Sequence, residues 1–246
     1  MLRIEKVADL AALTTTAAAD FMALIQKIQQ PQGGVHGDGI ARIVLTGGTA
    51  GIEMLQKIAE LEVQAAAIDW SRVHLFFGDE RNVAVSHPDS NEGQARKALL
   101  ATVAIPENNI HGFNLGELSL DVAVAAYSAV LAEYAPQGFD LHLLGMGGEG
   151  HINSIFPHTA AVQETAALVM AVKDSPKPPA ERVTLTMPAI AKAQRVWLLV
   201  SGSEKALAAS HVVAGSPAIE WPAAGARGSL ETVLYVSADA ATQIAT

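Results

Sequence analysis

The stretch Phe139-Asp-Leu-His-Leu-Leu-Gly-Met-Gly-Gly-Glu-Gly-His-Ile-Asn-Ser154 joins a short apolar run to a glycine-rich turn that carries a carboxylate and a histidine. The leucines of the run predict a buried strand, because a short apolar run bounded by glycines is typical of a strand covered by other elements. The glycines allow the backbone to turn tightly and to approach a ligand closely. The stretch therefore predicts a sheet with a functional site at this strand end, where Glu149 and His151 lie.

Strands and helices alternate along the rest of the chain. The amphipathic pattern from Asp9 to Gln30 predicts a helix, which Pro31-Gln-Gly-Gly34 ends. Strands are predicted at Ile40–Thr46, Arg72–Phe77, Asp140–Leu144, Arg195–Val200 and Thr232–Val236, and further helices at Ile52–Leu61, Asn91–Thr102, Asp121–Tyr134 and Glu204–Val213. This alternation indicates an α/β fold with a doubly wound, mostly parallel sheet flanked by helices. The length of 246 residues fits a single domain over 1–246.

Composition excludes several classes of function. Sixteen Lys and Arg residues against 25 Asp and Glu give a net charge of −9, which argues against nucleic acid or an anionic membrane as the main partner. An anionic substrate would need a local basic site. Because the chain has no cysteine, disulfides, thiolate nucleophiles and zinc–thiolate sites are excluded. The charged N-terminus and the lack of an apolar run of about 20 residues predict a cytoplasmic protein without a signal peptide.

Four motifs follow predicted strands directly: Leu45-Thr-Gly-Gly-Thr-Ala-Gly51, Phe77-Gly-Asp-Glu-Arg81, the turn from Gly145 to His151, and Ser201-Gly-Ser-Glu-Lys205. Ligands of open parallel sheets bind beyond the carboxyl ends of the strands. We therefore expect the four motifs to lie close together and to form one site.

The first motif suits a phosphate. Gly47 and Gly48 free backbone N–H groups, and the hydroxyls of Thr46 and Thr49 add donors where the next helix begins. Two other interpretations stay open: a tight turn with a threonine helix cap, and a nucleophile elbow with threonine in place of serine. The elbow is disfavoured, because the branched Cβ of threonine fits its strained turn poorly.

The Asp79-Glu80-Arg81 motif places two carboxylates and a guanidinium at one strand end. Arg81 can hold a phosphate or carboxylate through two hydrogen bonds, while a carboxylate orients it or takes part in acid–base chemistry. A solvated salt-bridge cluster is the alternative, which the neighbouring motifs disfavour. Ser90 is the predicted cap of the helix that follows.

The third motif also matches G-x-G-x-x-G, the pattern of a dinucleotide-binding turn. This interpretation is disfavoured, because the match lies deep in the chain, Pro157 restricts a following helix, and no acidic partner stands at a suitable distance. His151 is the candidate general base. His142, His151 and His158 form no recognised metal-ligand pattern, so no metal is expected.

Arg182 and Lys205 are the candidate anion-binding cations. Arg182 follows the polar loop Lys173-Asp-Ser-Pro-Lys-Pro-Pro-Ala180, and Lys205 follows a strand. Together with Thr49 they could form a local basic site; either could equally be a surface charge. The loop is interpreted either as a lid or as an ordinary surface loop.

These motifs resemble the 6-phosphogluconolactonase family, within the wider group of glucosamine-6-phosphate deaminases and sugar-phosphate isomerases. The family's Gly-Gly-Ser/Thr turn, its Asp-Glu-Arg and its His-Pro-Asp-Ser-Asn correspond to Leu45–Thr49, Asp79–Arg81 and His87–Asn91. Its longest signature, Gly-Met-Gly-x-Asp-Gly-His-Thr-Ala-Ser-Leu-Phe-Pro, corresponds to Gly145–Pro157, and its Arg-Ile-Thr-Leu-Thr and Gly-x-x-Lys elements to Arg182–Thr186 and Gly202–Lys205. The resemblance covers nearly the whole chain and implies a Rossmann-like fold.

Three departures from the family pattern stand in the longest signature. Glu149 replaces the usual aspartate, Ile152-Asn153 replaces Thr-Ala, and His158 stands where glycine is common. The longer glutamate puts in doubt any role that needs a closely placed carboxylate. The deaminases have a sequence like Gly-His-Ile-Ala-Phe-Asn-Glu-Pro here, and its Asn-Glu-Pro ending is missing, which favours a lactonase.

The resemblance implies hydrolysis of 6-phospho-D-glucono-1,5-lactone in the pentose phosphate pathway, without metal or cofactor. It implies that His151 activates water with Asp79, Arg81 and Glu149 in the catalytic group, and that the substrate phosphate is held by Thr46, Gly47, Gly48, Thr49, Arg182 and Lys205. A glucosamine-6-phosphate deaminase or isomerase, and a non-catalytic phosphosugar-binding module, are the alternatives. The expected partner is a small phosphosugar lactone, and the expected assembly is a monomer or weak homodimer.

Overall fold

The computed structural model describes residues 2–65 and 67–244. The strands described are β1 Leu2–Val7, β2 Ala41–Leu45, β3 Val73–Phe77, β4 Asp79–Arg81, β5 Ile110–His111, β6 Phe139–Gly145, β7 Val169–Val172, β8 Arg182–Leu185, β9 Ala193–Val200 and β10 Glu231–Ser237. The α-helices are α1 Leu10–Ile28, α2 Gly48–Ala65, α3 Asn91–Ala95, α4 Leu120–Tyr134, α5 Ala160–Gln163, α6 Met187–Ala191, α7 Ala206–Ala214 and α8 Pro222–Gly225.

Seven strands form a parallel sheet in the order β1-β10-β9-β6-β2-β3-β5, which confirms the predicted sheet. The central strands β2 and β6 are buried almost throughout, as their apolar runs require. The two-residue edge strand β5 was not predicted, and neither was the opposite edge strand β1. Its alternating Leu-Arg-Ile-Glu-Lys-Val pattern carries charges along the outer edge, where charged side chains discourage pairing with another chain.

The direction in which the chain adds strands to the sheet reverses between β2 and β6. The chain steps from β2 to β3 towards one edge, and from β6 to β9 and β10 towards the other. Because such crossovers are right-handed, helices that connect strands in opposite directions lie on opposite faces of the sheet. The helices α1 and α2 both connect strands towards the β5 edge, and they pack against each other. A crevice for a ligand opens where the order reverses, so the ends of β2 and β6 are placed to build a site.

A second, three-stranded antiparallel sheet, in the order β4-β8-β7, was not predicted. It turns the Asp-Glu-Arg motif into a short strand and pairs Arg81 with Arg182 and Asp79 with Thr184. The polar loop between β7 and β8 is confirmed as a loop. Two distant motifs are thereby brought side by side.

The five predicted helices are confirmed with shifted boundaries, whereas the short helices α5, α6 and α8 were not predicted. Asp9 caps α1, and the Ser90 hydroxyl accepts a hydrogen bond from the backbone N–H of Gly93, which confirms the predicted cap of α3. The helix predicted over Asn91–Thr102 is α3 followed by a π-helical turn, Arg96–Leu100. No helix in the described part of the chain is long and apolar enough to cross a membrane.

Two histidines lie side by side at the β3–β5 edge of the sheet. The Nδ1 atom of His74 lies 2.9 Å from the Nε2 atom of His111, and the two rings are stacked. Phe76 and Tyr134 also contact the His111 ring. Burial lowers the pKa of both histidines and, together with the charge of His74, lowers the pKa of His111 to about 4.

This pair predicts a loss of stability in mild acid. An unfolded histidine takes up a proton near its ordinary pKa of 6.5, whereas folded His111 resists protonation until about pH 4. The contribution of His111 to the free energy of unfolding is therefore complete above pH 6.5 and is lost as the pH falls towards 4. It amounts to about 1.4 kcal/mol for each unit of difference between the folded and unfolded pKa. The free energy of unfolding, measured in urea across this range, should decline less steeply in His111→Phe. Equal slopes in variant and parent would contradict the prediction.

Candidate active site

A cleft opens where the strand order reverses, and residues of all four motifs line it. It is lined by nine of the ten predicted site residues, namely Thr46, Gly47, Gly48, Thr49, Asp79, Arg81, His151, Arg182 and Lys205. The tenth, Glu149, lies beside His151, with its carboxylate outside the lining. Met146 and Leu199 add an apolar part to the wall.

The first motif forms the N-terminus of α2. Gly48 has a φ of 79°, which a residue with a side chain rarely adopts, and Thr49 is exposed in the first helical turn. The first N–H groups of a helix have no partner within it, so this end of α2 attracts an anion. The nucleophile-elbow interpretation does not fit, because Gly48 and not Thr49 occupies the left-handed turn. The Thr46 hydroxyl accepts from Gly145 N–H instead of capping the helix.

Asp79 and Arg81 are linked through Asn91, which was not among the predicted site residues. The Asn91 side chain donates to a carboxylate oxygen of Asp79 at 3.0 Å and accepts from Nη1 of Arg81 at 2.6 Å. The other Asp79 oxygen accepts from the Ser154 hydroxyl at 2.6 Å. Asp79 therefore reaches Arg81 through Asn91 and not by direct contact, and whether it orients Arg81 or a substrate hydroxyl stays a prediction. The His-Pro-Asp-Ser-Asn motif contained the signal for Asn91.

Glu80 has a structural position. Its carboxylate is buried and accepts hydrogen bonds from the backbone N–H groups of Arg81, Asn91 and Glu92 and from the Ser90 hydroxyl. A carboxylate at a helix N-terminus satisfies donors that have no partner within the helix. Glu80 thus fixes the start of α3 and, with it, Asn91.

Arg182 reaches the cleft from β8 and also holds the polar loop. Its guanidinium donates to the backbone carbonyls of Lys177, Pro178 and Pro179, and Nη1 lies 3.4 Å from the Ser154 hydroxyl oxygen. The side chain is buried, and Nη1 lies 3.8 Å from an Asp79 oxygen. Arg182 was predicted as an anion-binding candidate, whereas its contacts with the loop were not predicted.

His151 lies against a glycine and an aromatic ring. A Cβ at Gly147 would come within 2.1 Å of Nδ1 of His151, so only glycine leaves room for the imidazole there. The ring stacks on Phe156 at a centroid distance of 4.4 Å. Nδ1 lies 3.2 Å from Oε1 of Glu149, whereas no residue that the structure describes is hydrogen-bonded to Nε2. The imidazole is therefore held in place with one nitrogen free.

The charges around His151 decide its protonation. Burial lowers the pKa of His151 and the Lys177 ammonium lowers it further, while the carboxylates of Glu149 and Asp79 raise it. Burial favours the neutral form of Glu149, but a backbone hydrogen bond, Lys177 and His151 outweigh it and lower the pKa of Glu149 to about 2. At neutral pH the imidazole is neutral, as a general base must be, and the carboxylate is ionised.

The other interpretations of the third motif do not fit the structure. Residues 146–159, all described, form turns, irregular segments and one isolated β-bridge, and α5 begins only at Ala160, so the helix that a dinucleotide-binding turn requires is missing. His142 is fully buried, and exposed His158 lies 3.0 Å from Glu220. Within the described ranges no group of three His, Asp or Glu side chains is placed to hold a metal ion. His158 has a φ of 60°, the left-handed region that suits glycine at this position.

The cleft is locally basic in an acidic chain. Arg81, Arg182 and Lys205 line it, and among the described residues of the lining Asp79 is the one acid. Lys205 forms no ion pair with any residue in the described ranges, so its charge is available to a ligand. This is the local basic site that an anionic substrate of a chain with a net charge of −9 requires.

Comparisons with known proteins agree with the motifs. Residues 8–235 match the family described as glucosamine-6-phosphate isomerases/6-phosphogluconolactonase. A 6-phosphogluconolactonase of Mycobacterium tuberculosis is 49% identical over 215 residues, which cover 84% of this chain and 86% of the relative. One of Streptomyces coelicolor is 38% identical over 239 residues, covering 93% of this chain and 90% of the relative.

Solved structures share the fold over nearly the full length. The crystal structure of 6-phosphogluconolactonase from Thermotoga maritima has a TM-score of 0.83 at 26% identity, covering 96% of this chain and 100% of that one. A monomeric glucosamine-6-phosphate deaminase, at 18% identity and a TM-score of 0.81, shares the fold alone. Together with the sequence matches, these findings confirm the resemblance, and the chain belongs to the 6-phosphogluconolactonase family within the glucosamine-6-phosphate isomerase/6-phosphogluconolactonase group.

Proposed function

We propose that the chain hydrolyses 6-phospho-D-glucono-1,5-lactone to 6-phosphogluconate in the pentose phosphate pathway, with His151 as the general base. One observation carries the mechanism: a held, neutral imidazole with a free Nε2 lines the same cleft as three cationic side chains. The expectation of a cytoplasmic monomer or weak homodimer stays a prediction.

The 6-phosphate binds at the basic end of the cleft. The N–H groups at the start of α2 supply oriented donors, and Thr49 adds a hydroxyl. Lys205 and Arg182 supply positive charge. Burial of Arg182 strengthens its attraction for an anion, because water screens a buried charge less than an exposed one.

With the phosphate bound, the lactone carbonyl carbon lies near His151. Nε2 takes a proton from a water molecule, and the water oxygen attacks C1. The negative charge on the carbonyl oxygen is stabilised by Arg81 or by backbone N–H groups of the glycine turn. The C1–ring oxygen bond then breaks, and the imidazolium returns its proton to the leaving oxygen. Asp79 orients a substrate hydroxyl.

The expected rate contributions of the general base and the oxyanion donors suffice to hydrolyse an activated ester such as the lactone. A placed general base contributes about 10²- to 10⁴-fold to the rate. A single oxyanion donor contributes about 10²- to 10³-fold. Glu149 supports the base by accepting from Nδ1–H, which leaves the lone pair on Nε2.

Hydrolysis of freshly generated lactone tests the proposal. The product is followed with a coupled 6-phosphogluconate dehydrogenase, and the spontaneous rate is subtracted. Acceleration by the chain supports the lactonase. Ammonia release from glucosamine 6-phosphate without lactone hydrolysis would indicate the deaminase, and binding of phosphosugars without turnover would indicate a binding module.

A further inference from the structure

The polar loop between β7 and β8 brings a lysine to the side of His151 that faces away from its free nitrogen. The ammonium of Lys177 lies 2.9 Å from Oε1 and 3.3 Å from Oε2 of Glu149. It also lies 3.5 Å from Nδ1 of His151. The loop that carries Lys177 is attached to the protein by the three backbone carbonyls that accept from Arg182.

These contacts bear on which nitrogen of His151 carries the proton. An ammonium is only a donor, so a hydrogen bond from Lys177 to Nδ1 would require the proton on Nε2, which could then not act as a base. A hydrogen bond from Nδ1–H to Glu149 leaves Nε2 free. Glu149 Oε1 lies closer to Nδ1 than Lys177 does, and Lys177 lies closest to Glu149. The geometry therefore favours a chain in which Lys177 and His151 both donate to one carboxylate.

We propose that Lys177 is a positioning residue of this site: it holds the Glu149 carboxylate against Nδ1 of His151 and sets the pH range in which His151 acts as a base. The role rests on the proposed lactonase function. Lys177 does not line the cleft; it acts on His151 both through its contact with Glu149 and through its own charge.

The charged groups that face His151 come from several elements. Glu149 lies on the same turn, Lys177 on the loop and Asp79 on β4, and these three shift the pKa of the imidazole. Arg81, Arg182 and Lys205 line the same cleft. Of the three groups that shift this pKa, Lys177 is the cation, and its charge keeps His151 unprotonated to lower pH.

The pH profile of kcat/KM for the lactone tests this role. Lys177→Met should move the acid limb to higher pH by roughly one unit, the size expected for two unit charges about 4 Å apart in water. KM should stay unchanged, because Lys177 does not line the cleft. Lys177→Arg, which keeps the charge, should restore the parent profile. Glu149→Gln should move the limb in the opposite direction, since Glu149 raises the pKa of His151.

Lys173→Met is the matched control. Lys173 lies at the start of the same loop, is exposed, and makes no ion pair with any residue that the structure describes. The variant Lys173→Met removes one positive charge from the loop, as Lys177→Met does, but Lys173 does not contact Glu149. An acid limb that Lys177→Met leaves in place, or that both variants move equally, would overturn the proposal.

A second readout does not depend on lactone hydrolysis. Nitrogen-15 NMR of His151 in the substrate-free protein reports its titration and its tautomer. We expect the Nδ1–H tautomer in the parent and a titration midpoint at higher pH in Lys177→Met only. If the parent hydrolyses no lactone, the proposed function fails, while an unchanged His151 titration in Lys177→Met would contradict the role of Lys177 itself.

Discussion

His151→Ala is expected to lose about 10²- to 10⁴-fold in kcat, the contribution of a placed general base, with little change in KM. The imidazole is held by Phe156 on its face and Glu149 at Nδ1, so Nε2 has a fixed position in the cleft. The phosphate contacts that set binding come from other residues. The loss should therefore fall on the chemical step.

Steady-state kinetics on fresh lactone, with the spontaneous rate subtracted, measures this loss. His158→Gly is the matched control, because it removes an imidazole from the same segment. The His158 imidazole contacts only the exposed Glu220 among the ion-pair partners described, and glycine suits the positive φ at this position. The variant should keep parent turnover. Parent turnover in His151→Ala would refute the assignment of the base.

Lys205→Met is expected to raise KM for the lactone by about 10- to 100-fold with little change in kcat. A hydrogen bond to a charged group contributes about 1.5–3 kcal/mol, and each 1.4 kcal/mol is about tenfold in affinity. Lys205 lines the cleft beyond the carboxyl end of β9 and has no competing ion pair in the described ranges. Its charge is thus available to the phosphate.

Two comparisons isolate the phosphate contact. Lys192→Met removes an exposed lysine at the opposite end of β9 and should leave KM unchanged. Glucono-1,5-lactone without the phosphate should be hydrolysed equally by parent and Lys205→Met. An equal rise of KM for both lactones would show that Lys205 does not contact the phosphate.

Local pattern was enough to predict the parallel sheet. The apolar runs of β2 and β6 can be buried only as central strands, and each ends in glycines that a helix or a turn must follow. Because parallel strands share one carboxyl edge, residues as far apart as Thr49, His151 and Lys205 were predicted to meet, and they line one cleft. The predicted cap Ser90 was equally local.

Contacts between distant segments were not predictable in this way. The pairing of Arg81 with Arg182 joins two strands of three and four residues, too short to show a hydrophobic period. The same holds for the contacts of Asn91: its motif marked the residue, but its place between Asp79 and Arg81 also depends on Glu80, which binds the start of α3. A single Asp-Glu-Arg motif contains a buried structural carboxylate beside two cleft residues, and the sequence does not distinguish them.

The sequence by itself determined which residue types follow which strands. It therefore also determined that a base, cations and a helix N-terminus share one edge of the sheet. Tertiary structure alone decided how these groups are paired. Lys177 reads as an ordinary loop charge, and it reaches Glu149 and His151 because Arg182 binds the loop carbonyls from β8. The physical reason is that the two signals depend on different distances. Apolar periodicity is a pattern among residues that are close together in the chain. An ion pair depends on distances of a few ångströms between segments that only the complete fold brings together.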